Sequence, residues 1–129
     1  MIPLDFSSTV LTEIAPDGLV PVMVDMPTTF PLEGRSFRFE PWKVTDGQVY
    51  VIVRAADQQA SLADSADAIE TWVHRRWGAD ALIIEDWGRD DPRYRERTPD
   101  GGRERVDEMA LKRRGLILTN LLRTDGGLA

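Results

Sequence analysis

The sequence predicts an α+β domain: a mainly antiparallel sheet with a central β-hairpin, one βαβ crossover and a C-terminal helix. Three observations carry that prediction. In "RSFRFEPW", Phe37 and Phe39 alternate with Arg38 and Glu40, the period of a strand with one wet face. "VTDGQ" then supplies an Asp-Gly turn into "QVYVIVRA", a β-branched run suited to a buried central strand. Further on, Leu62, Ala66, Ile69, Val73 and Trp77 recur at helical spacing, and "ADALIIEDW" follows as a short apolar strand.

The elements follow in order from the N-terminus. Six of the eight prolines (Pro3, Pro16, Pro21, Pro27, Pro31 and Pro41) lie in the first 41 positions. Proline removes a ladder donor, so residues 1–34 are expected as a proline-rich arm or edge strands. "STVLTEI" and "LVPVMVDM" read as β-like runs joined by the turn "APDG", with "PTTFPLEG" as a loop behind them. Residues 35–86 hold the hairpin and the βαβ core. Ser61 is the expected helix N-cap, with Asp64 at the positive end and Gly78 as the residue past the C-terminus. The strand at 49–54 is expected parallel to 81–86 through a right-handed crossover. Residues 87–103 read as a charged loop or ribbon and 104–123 as the C-terminal helix, with Val106, Met109, Ala110 and Ile117 near one face. Gly115 is a possible earlier stop, which would leave "LILTNLL" as a separate apolar segment.

Composition bounds the rest. A chain of 129 residues with 42% hydrophobic and 29% charged residues is one globular domain, 1–129, large enough to fold without metal or disulfides. It contains no cysteine, which excludes thiolate metal sites and a cysteine nucleophile. "MIPLDFSSTV" has neither a basic nor an apolar leader region, and no run is long and apolar enough to span a membrane, so a cytoplasmic protein is expected. The net charge of −6, with the arginines interleaved among acids, disfavours direct nucleic-acid binding. Fourteen arginines against two lysines fit either an arginine-rich interface or a compositional bias of the source.

Two functions lead on the sequence, with a regulatory ligand-binding domain, which would need an apolar pocket, as a third option. One is a non-catalytic interaction or assembly subunit with a protein partner, itself or another chain. Its candidate contacts are Trp42, Trp72, Trp87, Arg89, Arg93 and Tyr94, with Leu116, Leu118, Leu121 and Leu122 as an apolar C-terminal segment; tryptophan and arginine are frequent interface anchors. The other is a small metal-dependent enzyme using Glu85, Asp86, Asp90 and Asp91, since hard carboxylates after a strand end suit Mg²⁺. Against it, no lysine stands nearby and the neighbouring arginines can neutralise those acids. His74, the single histidine, has Glu70 one turn earlier and reads as a surface pair. No nucleophile elbow or phosphate loop occurs, and no cofactor is expected.

Overall fold

A computed structural model describes residues 22–44 and 47–116. The described residues form, in order, β1 (Val22–Met23), β2 (Thr28–Leu32), β3 (Arg35–Lys43), β4 (Val49–Ala55), α1 (Ala66–Trp77), β5 (Leu82–Asp86), β6 (Tyr94–Arg97), β7 (Arg103–Val106) and α2 (Glu108–Arg113). All strands join one sheet in the order β1-β3-β4-β5-β6-β7, and β2 also pairs with β3. The β1 and β2 strands share the outer edge of β3, at its Trp42–Lys43 and Arg35–Phe39 ends respectively. Only β4 and β5 run parallel, joined through α1; every other pairing is antiparallel. The expected central hairpin and βαβ unit are therefore present.

Alternation along the strands builds a core on each face. Phe37, Phe39, Val51, Val53 and Ile83 meet Leu62, Ile69 and Val73 under α1. Trp42, Tyr50, Ile52, Ile84, Tyr94 and Val106 meet Leu111 and Leu116 under α2. The near-continuous burial of Tyr50–Val53 reflects a strand covered on both sides.

Four expectations are corrected. First, "PTTFPLEG" is no loop: its TTFPL portion is β2, and Glu33-Gly34 turn the chain into β3 with φ of 54° and 76°. Positive φ at both central residues is the twist-compatible hairpin geometry, reached here without the usual Asn-Gly signature. Pro31 is tolerated because β2 lies outermost on β3. Second, α1 starts at Ala66 with Ser65 as N-cap, while Ser61 opens a preceding turn by accepting at its Oγ from the Asp64 N–H at 3.3 Å.

Third, of the two readings of 87–103, loop or ribbon, the loop is the one set aside: the stretch contains β6 and runs into β7. Its turn uses the Thr98 N–H to the Gly102 carbonyl and the Gly101 N–H to the Thr98 carbonyl, both at 3.0 Å, with Gly101 at φ 89°. The β3–β4 connection repeats those two bonds between Val44 and Gln48 and between Gly47 and Val44, so "TPDGG" and "VTDGQ" encode the same closure. Fourth, 104–123 is not one helix. Val106 closes β7, Asp107 caps α2 by accepting from the Ala110 N–H at 2.8 Å, and Gly115 follows at φ 77°. The late start resets the helical phase: Leu111 is buried and Met109 is 54% exposed, the reverse of the face expected for Met109. "STVLTEI" and the first three residues of "LVPVMVDM" lie outside the described residues, as do Ile117, Leu118, Leu121 and Leu122.

Candidate functional site

The acids of β5 cannot act as one cluster, because neighbours on a strand point to opposite faces. Glu85 turns under α1 and is fully buried. It accepts two bonds from Arg103, Nε at 2.5 Å and Nη2 at 3.1 Å, and one from the Trp87 indole Nε1 at 2.9 Å. The guanidinium of Arg95 stacks 3.8 Å from the centre of the Trp87 ring. Arg97, also on this face, lies 3.7 Å from Glu70. The ribbon β6–β7 thus turns Arg95, Arg97 and Arg103 inward, and acids and an aromatic from other elements receive them.

Asp86 turns to the other face, with its side chain 2% exposed. Arg54 Nη2 stands 3.0 Å from Oδ2, Arg93 donates from Nε to Oδ1 at 2.9 Å and from Nη2 to Oδ2 at 3.3 Å, and the Gly88 N–H donates to Oδ1 at 2.9 Å. Burial alone pushes this carboxyl up. The Arg93 hydrogen bonds, the Arg54 charge and the Gly88 N–H outweigh it and hold the group below the ordinary carboxylate value.

That shift has a testable sign. A carboxyl depressed on folding contributes stability that is full above its unfolded value, about 3.9, and is lost as pH falls through its folded value. Asp86→Asn is therefore expected to cost about 2 kcal/mol at pH 7, the scale of a charge-assisted hydrogen bond. The gap to the unaltered protein should close as acid is added below about pH 4. Urea midpoints for both proteins along a pH series measure it; a gap independent of pH would contradict the assignment.

Beyond the C-terminal ends of the parallel pair β4–β5 lies a cavity of about 410 Å³, lined by Arg54, Ser61, Leu62, Asp86, Trp87 and Arg93, among others. Sheets with parallel strands place ligands at this edge. The other sequence candidates scatter. Trp42 and Tyr94 are core residues at 9% and 2% exposure, and Leu116 is fully buried, so these three offer no surface to a partner. Arg89 and Asp90 are exposed. Asp91 makes a loose 3.5 Å pair with Arg105. Trp72 stacks on Phe30 at 4.7 Å and meets Phe39 at a tilt at 4.4 Å, with Arg76 over its ring at 5.4 Å.

Among the described residues no group of three or more His, Asp or Glu side chains is placed to hold a metal ion. His74 Nε2 lies 3.2 Å from the Ala81 carbonyl, an acceptor, which sets the proton on Nε2. Its expected partner Glu70 faces Arg97. No helix among the described residues is long and apolar enough to cross a membrane.

Sequence reading missed two groups. Arg54 and Arg103 are the partners of the buried acids; strand parity, which puts 54 with 86 and 103 with 85, was the available signal. The second group is an apolar rim. Val22, Val24, Met26 and Phe30, at 60%, 45%, 75% and 37% exposure, are four of the five exposed large hydrophobics of the described residues. All four belong to the β1–β2 edge, where Val24 donates its N–H to the Pro41 carbonyl. Their signal was an apolar run between prolines that no predicted helix faced. No family model, curated protein or solved structure matches this chain.

Proposed function

We propose that the protein is a non-catalytic assembly subunit that associates with a second copy of itself along the β1–β2 edge. The observation that carries this reading is the concentration of exposed Val22, Val24, Met26 and Phe30 within nine residues of one sheet edge. Water-exposed side chains of this size gain from burial, about 25 cal/mol per Å² of apolar area removed from water. An outer edge also leaves backbone N–H and C=O groups facing outward, and adding a strand to such an edge is a common mode of protein recognition.

The choice of a second copy rests on charge. Beside the rim, Asp25 and Arg76 form an exposed ion pair at 2.9 Å, and Lys43 and Glu33 are exposed toward its two ends. A twofold axis passing beside this pair would let Asp25 of one copy face Arg76 of the other, an exchange of partners that makes the surface self-complementary. The ion-paired carboxylates of β5 support no catalytic role.

Light scattering over a wide concentration range tests the proposal, on the full chain and on the double variant Val24→Asp, Met26→Asp. A defined oligomer that becomes monomeric in the variant is expected. A monomer at every concentration, or an oligomer indifferent to the two aspartates, would overturn it.

A further inference from the structure

We propose that the cavity at the ends of β4 and β5 binds a small organic carboxylate with an apolar body. Two guanidinium groups, Arg54 and Arg93, converge on one carboxylate, Asp86, at 3.0 and 2.9 Å. Only Asp86 of the three is fully buried, Arg54 and Arg93 being 20% and 42% exposed, and the cavity is lined by all three members. Arg93 uses Nε and Nη2 on Asp86. Guanidinium carries five donors, so Nη1 of this 42%-exposed side chain is available to a second carboxylate.

The rest of the lining selects the body. Trp87, Leu62, Ala55 and Ala60 supply an apolar wall, and Ser61 adds a hydroxyl. The Ser61 oxygen accepts from the Asp64 N–H, which leaves the hydroxyl proton to donate. A volume of about 410 Å³ lies within the range of small-molecule sites, roughly 300 to 1,000 Å³. Asp90 also lines the cavity, but it is exposed, and water screens its repulsion. The position agrees with the general placement of ligands beyond the carboxyl ends of parallel strands. The site is separate from the β1–β2 edge, so the inference stands or falls independently of self-association.

Two-dimensional ¹⁵N NMR of the full chain, at constant ionic strength, reads binding at the site itself. The reporters are the Trp87 indole N–H, assigned through Trp87→Phe, and the Gly88 amide. Benzoate carries both features, inorganic phosphate only the charge, and benzyl alcohol only the body. Benzoate is expected to move both reporters with a Kd on the order of millimolar, and the other two probes at least about tenfold more weakly.

Arg93→Met should remove the benzoate response while leaving the spectrum otherwise dispersed. Asp90→Asn should tighten binding about two- to threefold, by removing a screened like charge. Arg105→Met, on a side chain 69% exposed and outside this cavity, serves as the unchanged control. An absent benzoate response, an equal response to phosphate or benzyl alcohol, or an undiminished response in Arg93→Met would each overturn the assignment.

Discussion

Glu85→Ala is expected to lower the stability of the protein by about 3 kcal/mol, the lower part of the range for breaking a buried ion pair from one side. The carboxylate is fully buried and accepts three hydrogen bonds, two from Arg103 and one from Trp87. Alanine strands the indole N–H and leaves the guanidinium only the long 3.4 Å bond from its Nη2 to the Leu62 carbonyl. The Arg103 side chain is 24% exposed, so water recovers part of the loss, which is why the lower part of the range applies. The pair also ties β7 to the α1 face through an 18-residue separation, so the ribbon should loosen with it.

The double variant Glu85→Leu, Arg103→Met distinguishes the mechanism. Replacing both charges by apolar side chains removes the stranded cation and should recover most of the loss. Urea unfolding of the two proteins gives both numbers. A loss below about 1 kcal/mol in Glu85→Ala would mean that the carboxylate is hydrated and that the buried network is not what holds β7.

Phe39→Ala should cost about 3 to 5 kcal/mol, the largest effect expected from a single core truncation here. Phe39 is fully buried, with its ring 4.4 Å from Trp72 and 6.2 Å from Trp77. It is the point at which the central strand β3 meets the aromatic end of α1, and its removal leaves a cavity that two indoles on a helix cannot collapse into. Trp72 would also lose its tilted contact with Phe39, keeping the stack on Phe30 at 4.7 Å and the edge contact with Trp77 at 5.2 Å. Met109→Ala, at a side chain 54% exposed, should fall within about 0.5 kcal/mol of the unaltered protein. Thermal melts of both variants check the contrast; similar losses at the two positions would argue that α1 is not packed on β3.

Much of the fold was legible where one face of an element meets a uniform environment. Phe37 and Phe39 alternate with charged neighbours because β3 buries them under α1, and Leu62, Ile69 and Val73 keep helical spacing for the same contact. These patterns are local, so a window of a dozen residues contains them. The Asp-Gly turn before β4 is equally local, since a glycine at positive φ needs no distant partner.

The ribbon β6–β7 shows what a window cannot contain. Its inward positions under α1 are Arg95, Arg97 and Arg103, so the apolar alternation that marks a strand is missing, although "TPDGG" has the same closure as "VTDGQ". Those arginines are acceptable inside only because Glu85, Glu70 and the Trp87 ring reach them from β5, α1 and the following connection. A buried charge demands a partner, and that partner is named by the tertiary structure. The same holds for "LEG", whose turn is dictated by the pairing of β2 with β3.

By itself, then, the sequence determined the fold class, the hairpin of β3 and β4, the crossover through α1, and the presence of acids at the end of β5. Tertiary structure decided how those acids are used. Strand parity sent Glu85 and Asp86 to opposite faces and gave each its own arginines, which dissolved the carboxylate cluster and left a cavity beside Asp86 that Arg54 and Arg93 line. It also removed Trp42, Tyr94 and Leu116 into the core and left Val22, Val24, Met26 and Phe30 at the edge. The physical reason is common to both: whether a side chain is buried, paired or exposed depends on what packs against it, and here the neighbours that decide are distant along the chain.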